Sequence, residues 1–114
     1  MAGSRRAERY AELIRQQVTV ILQHEFEDFA DLFITITDVN MSSDLRNVKI
    51  YYSILGGQDV KKTAEGLFKK NKSQIKFKLG KRIQFRSVPD FNFIYDETSA
   101  RVARLDELFN KIKE

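Results

Sequence analysis

Apolar residues recur at helical spacing near the start of the chain. Tyr10, Ile14, Val18, Ile21 and Leu22 line one face with Leu13 beside it, while Arg5, Arg6, Arg9, Arg15 and the glutamines take the other sides. This pattern predicts a helix from about Ser4, whose hydroxyl suits a cap, to about His24. Glu25 to Asp31 (EFEDFAD) reads as an acidic connector with Phe26 and Phe29 as anchors. The period then changes. Leu32 to Met41 reads as a strand in which Ile34 and Ile36 share one parity and Val39 and Met41 the other. Such a flip marks a bulge near Thr37-Asp38. Ser42 to Asn47 is turn chemistry, and Val48, Ile50, Tyr52 and Ile54 alternate in a second strand, Val48 to Leu55. The short connection makes the pair an antiparallel hairpin.

Gly56-Gly57 ends this strand, and Asp59 is a suitable N-cap for the next helix. Val60, Ala64, Leu67 and Phe68 recur at helical spacing, as do Ile75 and Leu79. Asn71 falls within the stripe and opens Asn71-Lys72-Ser73-Gln74, whose Asn and Ser favour turns and caps. A helix, a break at 71–74 and a second helix ending near Gly80 are expected. The alternative is one continuous helix with a solvated lysine face. Gly66, inside the first part, costs roughly 1 kcal/mol against alanine and would permit close packing on the sheet. Ile83 to Ile94 reads as the third strand, with Phe85, Phe91 and Phe93 on one parity and Pro89 pointing to an edge or a bulge. A helical crossover makes the second and third strands parallel, with a right-handed connection. Tyr95 to Ser99 is a capping cluster opening a last helix with Val102, Leu105, Leu108, Phe109 and Ile112 at helical spacing. The expected architecture is α+β, one domain over residues 1–114 with helices packed on a three-stranded mixed sheet.

Composition narrows the function classes. The chain has 114 residues, no cysteine and one histidine, His24. Disulfides, thiolate metal sites and a cysteine nucleophile are excluded. No P-loop or HExxH pattern occurs, and acid pairs such as Glu25/Glu27 and Asp96/Glu97 sit where connectors and helix caps explain them. An enzyme, a metal site and a cofactor are therefore not expected. No apolar run approaches membrane-spanning length, and the N-terminal MAGSRRAERY lacks the apolar core of a signal peptide. A cytoplasmic monomer without membrane attachment is expected.

Charge supplies the positive signal. Val60 to Arg86 holds ten basic residues and one acid, Glu65, so it carries +9 within a chain of net +4. Concentrated charge of this kind suits phosphate binding. Lys62, Lys69 and Lys76 fall opposite the apolar stripe. Lys69, Lys70, Lys72, Lys76, Lys78, Lys81, Arg82 and Arg86 are the candidate phosphate contacts, joined by Lys62 and by Asn71 and Ser73 at the break. Arg5, Arg6 and Arg46 are secondary candidates. Two helices flanked by strands, with a basic break between them, is also the layout of KH-type RNA-binding domains, although no GxxG loop occurs. Tyr52, Phe85, Phe91 and Phe93 read as core, so basic contacts to folded RNA backbone are expected rather than base stacking.

Three blocks carry a family resemblance: Val39-Asn-Met-Ser-Ser-Asp-Leu-Arg-Asn-Val-Lys-Ile50, Leu79-Gly-Lys-Arg-Ile-Gln-Phe-Arg-Ser-Val-Pro-Asp-Phe91 and Phe93-Ile-Tyr-Asp-Glu97. In this order and spacing they resemble the ribosome-binding factor A family, and the likeness covers nearly the whole chain. The resemblance implies a type II KH-like fold with a helix–kink–helix in place of GXXG. It also implies binding to the small ribosomal subunit and its rRNA in late maturation, rRNA processing and cold adaptation. The family's kink carries Ala-x-Gly, and those places fall on Asn71 and Ser73 here. The rival expectation is a protein-interaction module of the same fold that does not bind RNA directly.

Overall fold

The computed structural model describes residues 5–98. Helix α1, Arg5–His24, leads through a short 3-10 turn at Glu27–Phe29 into strands β1, Ile34–Met41, and β2, Asn47–Ile54. Helix α2, Gln58–Arg82, then crosses to β3, Asp90–Tyr95. The sheet order is β1-β2-β3. β1 and β2 are antiparallel and β2 and β3 parallel, which is the expected mixed α+β architecture. The Ser4 cap and the last helix beyond Thr98 lie outside the described residues. The opening of that helix is present. Asp96 accepts the Thr98 backbone N–H at 3.0 Å, as an N-cap does.

The hydrophobic pattern explains the layers. Ile14, Val18, Ile21 and Leu22 of α1 are buried against Val48, Ile50 and Tyr52 of β2, Phe91 of β3, and the α2 stripe Ala64, Phe68, Ile75 and Leu79. Phe26 and Phe29 anchor the acidic connector edge-to-face, ring centroids 5.9 Å apart. The register of β1 on β2 shifts between Ile36 and Asp38, so Ile36 and Val39 both point inward from opposite parities. Burial pushes the Tyr52 phenol up to about 12, and its ring lies 4.5 Å from that of Phe68.

Four expectations need correction. First, α2 is one helix of 25 residues, with no break at 71–74. Asn71 is buried on the stripe, where its side-chain amide donates to the Leu67 carbonyl at 2.9 Å. The amide finds a partner without leaving the helix, and Ser73 is exposed. Asn and Ser cost a helix only about 0.5–0.7 kcal/mol each against alanine, much less than burial of Phe68, Ile75 and Leu79 contributes. Second, the helix starts at Gln58 with Gly57 in the cap position, and Asp59 lies in the first turn instead of capping it. There its carboxylate still complements the helix dipole. Gly56 has φ 141°, and a Cβ there would meet Val60 Cγ2 at 2.8 Å, so only glycine fits between β2 and α2. Third, β3 begins at Asp90 and not at Ile83. Pro89 has no N–H to donate, and the ladder to the hairpin opens one residue later with Asp90 N–H to the Arg46 carbonyl at 2.9 Å. Phe85 is consequently a loop residue and is half-buried. Fourth, Gly66 does not pack on the sheet: a Cβ added there meets nothing within 4 Å apart from its chain neighbours and the backbone of its own helix.

Candidate nucleic-acid interface

Helix α2 sorts its basic residues by their angle around the axis. Its buried stripe is Ala64, Phe68, Asn71, Ile75 and Leu79. On the flank facing β3, Lys61 pairs with Glu97 at 3.2 Å, Lys72 Nζ donates to Asn92 at 3.3 Å and Lys76 pairs with Asp90 at 3.4 Å. On the flank facing α1 and the acidic connector, Lys70 lies 3.9 Å from Asp28 and Lys78 3.4 Å from Glu25. Arg82 donates to the same Glu25 carboxylate at 2.9 Å and to Gln17 at 3.0 Å. The Arg82 hydrogen bond, then that of Lys78, holds the Glu25 carboxyl below the usual carboxylate range. Lys62 and Lys69 are exposed between the flanks and have no ion pair among the described residues. Lys81 lies 4.7 Å above the exposed ring of Phe77.

The result is an outward ridge of cations fringed by acids on both sides. The Lys70–Asp28 and Lys76–Asp90 pairs are at the surface, where such pairs contribute about 0–1 kcal/mol, whereas Glu25 is part-buried between Lys78 and Arg82. A polyanion can therefore exchange with Asp28 or Asp90 at little cost.

The remaining candidates gather elsewhere. Arg6 of α1, Arg46 of the hairpin turn and Arg86 of the loop before β3 line one cleft of about 680 Å³. They share neither flank nor ridge with the lysines. Arg5 is exposed at the start of α1. The cleft wall includes two aromatic rings, Tyr10 and Phe85, stacked at 5.4 Å and 27°. The sequence pattern places both in the core, because Tyr10 continues the α1 stripe and Phe85 shares parity with Phe91. Both do pack against the core but are only partly buried, and Phe85 lies outside the strand because Pro89 cannot join the ladder and residues 83–89 form a loop. Phe93 is likewise only partly buried, stacked on Phe68 at 4.4 Å.

The hairpin turn beside the cleft is tightly held. Ser42 Oγ donates to Asp44 at 2.6 Å and accepts the Asn47 N–H at 3.0 Å, and the Arg46 N–H donates to Asp44 at 3.1 Å. The Ser42 hydroxyl, then the Arg46 N–H, lowers the Asp44 pKa. Between them Leu45 sits at φ 63°, a left-handed conformation that costs a non-glycine residue roughly 1–2 kcal/mol. The surrounding hydrogen bonds over-determine it. His24 is exposed at the end of α1. Among the described residues no group of His, Asp and Glu is arranged to hold a metal ion, and no helix is long and apolar enough to cross a membrane.

Comparison with known proteins places this architecture. The family model for ribosome-binding factor A matches residues 6–109. Ribosome-binding factor A of Thermodesulfovibrio yellowstonii is 34% identical over 113 residues, covering 99% of this chain and 95% of that protein. The solution structure of a Thermotoga maritima protein described as a putative ribosome-binding factor A superposes with a TM-score of 0.68 at 21% identity, over 85% of this chain and 92% of that one. A Thermus thermophilus ribosome-binding factor A homology model, fitted into a cryo-EM map of a 30S complex, superposes with a TM-score of 0.64 at 19% identity, over 77% of this chain and 92% of that one. The chain belongs to the ribosome-binding factor A family.

Proposed function

We propose that this chain is a non-enzymatic ribosome maturation factor that works in the cytoplasm as a single KH-like domain. It binds the small ribosomal subunit through the backbone of its rRNA. Family membership supports the subunit as partner, and the Thermus relative was fitted into a 30S complex. The observation that carries the mode of binding is the outward ridge of α2, where Lys62 and Lys69 are exposed without internal ion pairs among the described residues and Lys70, Lys72 and Lys76 flank them. Folded RNA presents a dense row of phosphates, and a row of ammonium groups on a rigid helix neutralises it without reading sequence. Asn71 takes no part in this contact, because its amide is turned into the core. Ser73 is exposed on the helix and stays available to it. The acidic fringe favours a second reading, a protein-docking face of the same fold, since it neutralises part of the ridge. Sedimentation with purified small subunits and with whole ribosomes tests the partner. Co-migration with small subunits but not with whole ribosomes is expected, and absence from the small-subunit fraction would reject the proposal.

A further inference from the structure

We propose that the cleft between the hairpin turn and the loop before β3 is a second RNA site, which holds an unpaired RNA strand rather than a duplex backbone. This inference rests on the RNA-binding reading above and adds a distinct site and ligand form to it. The first observation is convergence. The Asp44-Leu45-Arg46 segment and the Phe-Arg-Ser-Val-Pro-Asp block, residues 85–90, are far apart in sequence, yet they wall the same cleft of about 680 Å³. That volume lies within the range of small-ligand pockets and has room for a nucleotide.

The second observation is the sign of the charge left facing the cleft. Arg6, Arg46 and Arg86 are exposed, with no ion pair among the described residues. The wall also carries two acids: Asp44, which accepts from Ser42 and from the Arg46 N–H, and Asp90, which pairs with Lys76 on α2. Three guanidinium groups from three separate segments therefore outnumber the two carboxylates of the wall and leave it net positive. Planar guanidinium forks suit phosphate oxygens and also stack on bases.

The third observation is the aromatic wall. Tyr10 and Phe85 are stacked and only partly buried, and the Tyr10 hydroxyl is tied to the Gln84 carbonyl at 3.4 Å. A partly buried aromatic pair that keeps an edge open beside arginines can take an unstacked base, and a duplex hides its base faces from such a wall. Cations on three segments suit the successive phosphates of a strand better than the single phosphate of a free nucleotide. The strained Leu45 turn fixes the backbone of Arg46 before any ligand arrives.

The test uses the full chain, isotope-labelled, titrated with the single-stranded hexanucleotide rA6. Amide shifts are expected to concentrate in residues 41–46 and 85–90. Phe85→Leu and the Arg46→Ala/Arg86→Ala pair should each weaken rA6 binding by about tenfold or more, with melting curves that show both variants folded. Lys62→Gln/Lys69→Gln should affect rA6 far less while weakening binding to small subunits. The cleft proposal is overturned if the wild type sediments with small subunits yet rA6 shifts are absent or confined to α2. It is also overturned if a blunt-ended RNA duplex or free AMP competes as well as rA6, or if the folded cleft variants bind rA6 normally. Loss of both rA6 and small-subunit binding in the wild type would instead remove the RNA-binding reading on which the proposal stands.

Discussion

Gly66→Ala separates what α2 needs for folding from what it needs for binding. Gly66 lies well inside a continuous helix, is exposed, and apart from its chain neighbours and the backbone of its own helix has no atom within 4 Å of where a Cβ would sit. Nothing opposes the methyl group, so the helix-propensity difference and the reduced freedom of the unfolded chain should both appear in stability. Together they amount to about 0.4–1 kcal/mol. For a domain near this size, 1 kcal/mol corresponds to about 4–8 °C in Tm, so a rise of roughly 2–8 °C is expected. Thermal unfolding followed by far-ultraviolet circular dichroism measures it. A lower Tm would mean that the backbone at 66 is not helical or that this face is packed, and either result refutes the reasoning. The second readout is binding. Gly66 shares its outward side with Lys62, Lys69 and Ser73. If that side rests against RNA backbone, the added methyl should weaken small-subunit binding while the fold gains stability, a trade-off seen where a docking surface limits side-chain size.

Three further outcomes rest on the packing and the charges. Phe91→Ala should cost about 3–5 kcal/mol and Phe93→Ala less, about 2 kcal/mol, because Phe91 is 1% exposed and Phe93 only half-buried; equal losses in denaturant titrations would contradict this placement. Asn71→Ala should stay within about 1 kcal/mol of the wild type, because the Leu67 carbonyl keeps its helical partner and alanine favours the helix; a loss of helical signal would show that the amide holds α2 together. Glu25 has its pKa lowered by Arg82 and Lys78, so its stabilising contribution is full above its ordinary value near 4.5 and is lost as pH falls through the depressed folded value. The Tm gap between wild type and Glu25→Gln should therefore be widest near neutral pH and close in acid, and a gap independent of pH would refute the pairing.

Much of this fold is legible in the sequence because burial there obeys simple periods. The parity flip of Ile34/Ile36 against Val39/Met41 locates the bulge, and the alternation of Val48, Ile50, Tyr52 and Ile54 locates the strand that becomes the sheet's centre. The helix break expected at 71–74 is absent because the local preference of Asn71 and Ser73 is weaker than the packing that opposes it. One side-chain hydrogen bond to Leu67 resolves the conflict that would otherwise require a kink. The third strand is shorter than its pattern because Phe85 keeps the parity of Phe91 across a proline that cannot join the ladder. At the candidate interface the sequence shows the number of cations but not their pairing. The partners of Lys70, Lys76, Lys78 and Arg82 are distant in sequence and meet them only through the fold. The cleft is hidden for the same reason, since Arg6, Arg46 and Arg86 have no common period.

Binding to purified small subunits across a salt series, for the wild type and for Lys62→Glu/Lys69→Glu, tests the central claim most directly. Both lysines are exposed and unpaired among the described residues, so the double variant should melt within about 1 kcal/mol of the wild type. If the ridge neutralises about five to eight phosphates, the logarithm of the wild-type affinity should fall against the logarithm of salt with a slope of about −4 to −7. The double variant should bind at least about tenfold more weakly, with the slope reduced by about 1–2. Binding that is indifferent to salt, or a folded double variant with wild-type affinity and slope, would contradict the account and leave the α2 ridge as a solvated face of a protein-docking module.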